Sequence, residues 1–357
     1  METTGVSKSI EPYYLGDNPF RPMSFDGVVT AARSSEGKAM GRGNDAAVRE
    51  HDFPVESLYI HSSGRAKLAV RLMRSPQAGQ AVVLIVPAMG ARARFYDPLA
   101  RCLYQAGLHV VTADLRGQGE SSPPVRRGVA FGYREIVEDD LPSVVQAIRT
   151  EIPGAPVVLA GHSLGGQLSL LSSATALSGA RAIVLTACGS GWWRGFGAAH
   201  GTRYLIGSQI LAGLASMLGY WPGEKIGFGG TQPAAVMRDW ARQCRTGRYE
   251  LERSSTDYET ALSTLKLPVL AITVENDQLA PTASVEHLLA KIPAATISRW
   301  HYTQSLAGGR QLGHFRWVHH SEKVSKYIAD WIAGILPAEE RAGEYNAGTP
   351  REERTST

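Results

Sequence analysis

The sequence predicts an α/β fold, a mostly parallel central sheet flanked by helices and interrupted by one insertion, on three observations. Short apolar runs alternate with helical patterns along most of the chain, one early pair of runs has the period of a half-buried strand, and the rhythm breaks once. The runs are Ala81 to Val86, His109 to Ala113, Pro156 to Ala160, Arg181 to Ala187, Val269 to Val274 and Thr296 to His301. Most are near-continuously apolar, as strands covered on both faces are. Ser57 to His61 and Lys67 to Leu72 instead alternate polar with apolar, which predicts an antiparallel hairpin at the sheet's edge. Arg94 to Gln105 and Tyr133 to Thr150 carry helical faces and are long enough to return the chain for parallel crossovers.

The break runs from Gly189 to Leu265 and holds Trp192, Trp193, Trp221 and Trp240 among many glycines. It divides the chain into a core, 51–188 with 266–337, and an inserted cap, 189–265. An insert that follows a strand's C-terminal end lies over the ligand crevice of an open α/β sheet. Trp192, Trp193 and Trp221 are therefore candidate substrate contacts in an apolar pocket, the alternative being that the indoles only fasten the cap to the core. Tyr204 to Leu218 is the longest apolar stretch; it is too short to span a bilayer and contains Ser208 and Gln209, so it predicts a buried helix. Residues 1–50 and 338–357 are polar and without periodicity, which predicts a flexible N-terminal segment and a disordered C-terminal tail.

With 357 residues, 43% hydrophobic and 20% charged, the composition is that of a globular domain. A net charge of +4 is spread along the chain, and a pair such as Arg126-Arg127 is too small a footprint for a nucleic-acid backbone. Cys102, Cys188 and Cys244 are odd in number and far apart, which argues against a disulfide framework or a zinc site. Met1 to Gly16 lacks the apolar stretch of a signal peptide, so a cytoplasmic location is expected.

Chemistry enters at Gly161-His162-Ser163-Leu164-Gly165, which follows an apolar strand and opens a small-residue helix. A serine on so tight a turn is presented as a nucleophile, and glycines flank it because the strand and helix pass too close for a Cβ. A hydroxyl needs a base to take its proton, and an imidazole does so best when a carboxylate holds its tautomer. On this architecture acid and base follow the serine in that order, each beyond a strand's C-terminal end. Asp277, just past the strand ending at Val274, is the leading acid, with Glu275 its rival as a residue still on the strand. Of His301, His314, His319 and His320, His314 is favoured for its glycine-led loop before the closing helix. Two amides should bind the developing oxyanion: Leu164, after the nucleophile, and Met89, in the small-residue loop Val86-Pro87-Ala88-Met89-Gly90.

Taken together these residues resemble the α/β-hydrolase superfamily over roughly Val55 to Leu336. Asp114-Leu115-Arg116-Gly117-Gln118-Gly119-Glu120-Ser121 resembles its D-x-R-G-x-G-x-S turn, for which a structural role is expected. The resemblance implies the α/β-hydrolase fold, Ser163, Asp277 and His314 as a catalytic triad, and hydrolysis or acyl transfer of an ester, thioester or amide without a cofactor. It implies a small acyl substrate as partner. Where many members have His-Gly in the oxyanion loop, this chain has Pro87-Ala88. That loop, with Arg94-Phe95-Tyr96, Gly219-Tyr220-Trp221-Pro222-Gly223 and Asp239-Trp240-Ala241-Arg242, is similar to a bacterial subgroup known mainly as predicted hydrolases. A serine at the elbow argues against dehalogenase and epoxide hydrolase chemistry, which uses aspartate there. Besides an esterase or lipase-like hydrolase, the residues leave open an acyltransferase, thioesterase or cyclising enzyme, and a catalytically silent binding module.

Overall fold

A computed structural model describes residues 54–77, 80–175 and 177–336. The predicted N-terminal segment and C-terminal tail, and the start of the chain on which the expected location rests, lie outside the described residues. From the N-terminal side the chain forms β1 (Glu56–Ser62), β2 (Ala66–Met73), β3 (Val82–Val86), α1 (Asp97–Gln105), β4 (His109–Ala113), α2 (Leu141–Glu151), β5 (Val157–His162), α3 (Leu164–Ala174) and β6 (Ala182–Thr186). An insert follows, with α4 (Ala198–Leu218), β7 (Tyr220–Pro222), α5 (Gly223–Ile226), β8 (Thr231–Pro233), α6 (Ala234–Thr246) and α7 (Tyr258–Ser263). The chain then returns to the sheet with β9 (Pro268–Val274), α8 (Thr282–Leu289), β10 (Thr296–Tyr302) and α9 (Glu322–Ile335).

Eight strands make the sheet, in the order β1-β2-β4-β3-β5-β6-β9-β10. β1 pairs antiparallel with β2, and β2 antiparallel with β4, so the predicted edge hairpin is present. Every other neighbour pair is parallel. Side chains of successive residues leave a strand on opposite faces. Val82, Leu84 and Val86 accordingly join Leu159 in one core layer with α2 and α3, while Val83 and Ile85 join Val158 and Ala160 in the other with α1 and α9. Burial on both faces is why these strands read as unbroken apolar runs.

One helical expectation holds with a local change and another needs correction. The segment Tyr133 to Thr150 is helical throughout but widens to a π turn over Glu135–Asp140 before α2. Pro142 lacks the N–H that would bond the Glu138 carbonyl in an ordinary α turn, and the widened turn accommodates that loss. The helix expected to be buried over Tyr204 to Leu218 is instead α4, 21 residues long and buried along one face only. Its inward face is Gly201, Tyr204, Ser208, Ala212 and Ala215, mostly small residues that let it approach α6. Ile206, Ile210, Leu214 and Met217 are exposed on the other side, Met217 by 80%. Apolar character on both sides hid the orientation, because the period of 3.6 carries information only when the faces differ.

β7 and β8 form a separate antiparallel ribbon, too short and turn-rich to have been seen as strands. No helix among the described residues is long and apolar enough to cross a membrane.

The orientation of α4 predicts opposite outcomes at neighbouring positions. Ala215→Leu forces three extra carbons into a fully buried site and should lower stability by about 1–3 kcal/mol. Met217→Glu, on the exposed face, should stay within about 0.5 kcal/mol of the parent in a urea melt.

Candidate active site

The chain turns from β5 into α3 at Ser163, which adopts φ +52° and ψ −120°. A side-chain-bearing residue rarely sits there, and the surroundings enforce it. A Cβ on Gly161 would strike the backbone of Gly165 and Gly166, and one on Gly165 would strike the carbonyls of Val86 and Pro87 at the end of β3. The Ser163 N–H donates to the Thr186 carbonyl at 3.1 Å, and the Ser163 carbonyl accepts from Gly166 N at 3.0 Å. Strand and helix therefore cross so closely that the serine is held out at the C-terminal edge of the sheet.

Asp277 and His314 reach the same edge from two later connections. β9 ends at Val274 and Asn276 takes φ +63°, a left-handed conformation that asparagine tolerates, which turns Asp277 back toward the sheet. Asp277 Oδ1 accepts from the N–H groups of Leu279 and Ala280, both at 2.9 Å, so the carboxylate is fixed before it meets any partner. After β10, Gly313 takes φ +145°, a conformation reserved for glycine, and delivers His314. His314 Nδ1 lies 2.9 Å from both Asp277 oxygens and its Nε2 lies 2.9 Å from Ser163 Oγ. The side chains of His314 and Asp277 are 2% and 1% exposed. Nδ1–H donating to the carboxylate leaves Nε2 as the acceptor for the serine hydroxyl.

The rivals are engaged elsewhere. Glu275 lies just beyond β9 rather than on it, and its carboxylate accepts the Gln304 N–H at 2.6 Å. His301 Nδ1 pairs with Thr273 Oγ1 at 2.8 Å, and His320 faces Arg310. His319 packs edge-on against Phe95 in a 3-10 turn over Arg316–His320, before α9 rather than at its start.

Of the two proposed amides, Leu164 is the first residue of α3, where an N–H has no acceptor inside the helix. Met89 sits in a turn closed by Ala91 N donating to the Ala88 carbonyl at 3.0 Å, with Gly90 at φ +74°. A Cβ on Gly90 would overlap the backbone of Gly229 and Gly230, and Gln118 Nε2 donates to the Thr231 carbonyl at 2.8 Å. The insert between β6 and β9 thus packs its Gly229-Gly230 backbone against this turn and is bonded to the neighbouring Asp114 motif through Gln118. The Asp114 motif performs the expected structural work: the carboxylate accepts the N–H groups of Ala93 and Glu120, and Arg116 grips Asp140 with bonds of 2.9 and 2.5 Å.

The tryptophans are distributed within the insert. Trp221 is 2% exposed and its Nε1–H donates to the Phe228 carbonyl, and Trp240 Nε1–H donates to Tyr204 Oη at 3.1 Å. Trp192 stacks on His287 of α8, and Trp193 packs onto the core beside Arg194. Among the described residues none of the four is hydrogen-bonded to Ser163, His314 or Asp277. Cys188 and Cys244 are buried and Cys102 is half-buried, all three unpaired; burial pushes the Cys244 thiol up to about 11. No cluster of three histidine, cysteine or carboxylate side chains fit for a metal ion occurs among the described residues.

Sequence reading passed over His162, the second residue of the elbow pentapeptide. Its ring is 2% exposed, with Nδ1 at 2.8 Å from Tyr96 Oη and Nε2 accepting from Trp317 Nε1–H at 3.5 Å. The His314 ring lies 4.9 Å away. Tyr96 was visible only as part of Arg94-Phe95-Tyr96, where nothing local marks a buried polar contact.

Residues 77–219 match the family model described as serine aminopeptidase, S33. The fold is shared with the Pyrococcus furiosus esterase Pf2001, at TM-score 0.52 and 15% identity over 79% of this chain and 93% of that one. It is also shared with mouse alpha/beta hydrolase domain-containing protein 10, at TM-score 0.53 and 15% identity over 78% and 99%. The chain has the α/β-hydrolase fold. It is 33% identical to human monoglyceride lipase over 95 residues, 27% of this chain and 30% of the lipase. Over a longer span it is 28% identical to the pimeloyl-[acyl-carrier protein] methyl ester esterase of Stenotrophomonas maltophilia, covering 68% of this chain and 90% of the esterase. The chain spans under a third of the length of the human lipase it matches.

Burial holds the imidazoles of His109, His162 and His287 below the ordinary value of 6.5, for His162 well below, with His314 adding to the effect there. As pH falls through about 6.5 an unfolded chain takes up protons at these sites before the folded protein does, so these groups cost stability below that pH and are neutral above it. Buried Asp114, Asp140 and Asp239 are raised and act with the opposite sign at lower pH. His162→Asn should therefore show a shallower decline in Tm between pH 6.5 and 5 than the parent; parallel declines would contradict a neutral, buried His162.

Proposed function

We propose that this protein is a serine hydrolase that cleaves a carboxylic ester through an acyl-enzyme on Ser163. The observation that carries the reading is the unbroken hydrogen-bond chain from Ser163 Oγ through His314 to Asp277, with each contact at 2.9 Å. His314 Nε2 takes the Oγ proton as Oγ attacks the substrate carbonyl carbon, and Asp277 stabilises the imidazolium that forms. The N–H groups of Met89 and Leu164 receive the oxyanion of the tetrahedral intermediate. On collapse His314 gives its proton to the departing alcohol oxygen. Water enters, gives a proton to His314 and attacks the acyl carbon; the second intermediate releases the acid as the proton returns to Ser163 Oγ.

An ester is favoured over an amide because the monoglyceride lipase and the methyl ester esterase to which the chain is similar are both described by ester substrates. The β6–β9 insert serves as a cap over 189–265, since its Gly229-Gly230 loop rests on the turn that carries Met89. Trp192 and Trp193 are the cap indoles available to a substrate, while Trp221 and Trp240, with their N–H groups bonded inside the insert, fasten it.

A fluorophosphonate probe should label the protein once, and Ser163→Ala should abolish both labelling and turnover of aryl esters. His314→Ala and Asp277→Asn should lower kcat on the order of 10⁴-fold or more. Labelling that persists in Ser163→Ala would remove this serine from the reaction.

A further inference from the structure

We infer that Tyr96 and His162 form a buried positioning pair that sets the direction of the Met89 N–H, an inference that rests on Ser163 being the nucleophile. The peptide unit that carries the Met89 N–H is planar and also carries the Ala88 carbonyl. That carbonyl accepts from Ala91 N at 3.0 Å, and the Ala88 N–H on the preceding unit donates to Tyr96 Oη at 2.9 Å. Both polar ends of Ala88 are thereby fixed, and with them the plane whose far edge is the Met89 N–H. Ala88 is 1% exposed and Tyr96 is fully buried, so water offers the Ala88 amide no substitute acceptor.

The hydroxyl of Tyr96 is in turn held from the nucleophile side. Tyr96 Oη accepts the Ala88 N–H and lies 2.8 Å from His162 Nδ1, so the imidazole is the buried partner that fixes the hydroxyl, while its Nε2 faces Trp317 Nε1 at 3.5 Å. His162 precedes Ser163 in β5, and Trp317 follows His314 by three residues. One buried chain of bonds therefore connects the nucleophile's strand, the base's loop and the oxyanion turn. A neutral His162 also suits its place beside His314, because a second positive ring 4.9 Å away would oppose the imidazolium formed in the reaction. Neither side chain touches the reacting atoms; each acts by keeping a backbone donor aimed where charge appears only in the transition state.

The two amides of Asn and Gln separate this role from simple packing. The amide of an asparagine is attached to Cγ, as His162 Nδ1 is, and can pair with Tyr96 Oη through Oδ1 as acceptor or Nδ2 as donor; a glutamine amide reaches the position of Nε2 instead. Steady-state hydrolysis of an aryl ester by the full chain should show kcat reduced about tenfold or more in Tyr96→Phe and His162→Gln, with KM within about twofold of the parent. His162→Asn should keep kcat within about threefold. An arylboronic acid, whose adduct on a serine places an anionic oxygen in the oxyanion site, should lose affinity in the first two variants in proportion to kcat/KM. Turnover by Tyr96→Phe within twofold of the parent, or equal impairment of His162→Asn and His162→Gln in proteins whose melts show them folded, would overturn the inference. A fluorophosphonate that fails to label the parent at Ser163 would instead overturn the assignment of the nucleophile.

Discussion

The turn at Ser163 is the constraint from which the rest of the site follows. A residue at φ +52° and ψ −120° is costly, on the order of 1–3 kcal/mol, and persists only where its surroundings leave no alternative. Here the surroundings are backbone: Gly161 against Gly165 and Gly166, and Gly165 against the end of β3. The same proximity brings the end of β3 and the loop after it against the first turn of α3, so one close approach both lifts the serine and joins the two segments that carry the proposed oxyanion amides. An alanine at either glycine would have to move a strand.

The other parts of the site are fixed by local bonds rather than by the substrate. Asp277 is already held by two backbone N–H groups when it meets His314, and His314 is delivered by a glycine conformation no other residue adopts readily. Such preorganisation matters because donors fixed before reaction need no reorganisation as charge develops. The insert joins the same scheme through Gly229 and Gly230, whose backbone occupies the space a Cβ on Gly90 would need. The insert and the turn that carries Met89 are therefore packed backbone against backbone.

Much of this was legible in the sequence, and the reasons differ from residue to residue. The central strands were legible because burial on both faces leaves continuous apolar runs, and the edge hairpin because one-sided burial leaves alternation. Ser163, Asp277 and His314 could be selected because chain order and strand ends limit where each can stand. The orientation of α4 was not legible, since Ala215 faces inward and Met217 outward within a uniformly apolar segment. Nor were Tyr96 and His162: their partnership joins residues 66 positions apart, and buried polar contacts of that range leave no periodic trace. Trp221, singled out as a pocket residue, illustrates a related limit, because an indole that fastens an insert and one that lines a pocket look alike in sequence.

The central claim is a covalent acyl intermediate on one serine, and acid-quenched mass spectrometry during turnover of a slowly deacylating aryl ester tests it most directly. A mass increase equal to the acyl group, confined to the peptide that contains Ser163 and preceded by a stoichiometric burst of the phenol, is the predicted result. Steady turnover with no adduct, or an adduct on any other residue, would contradict it.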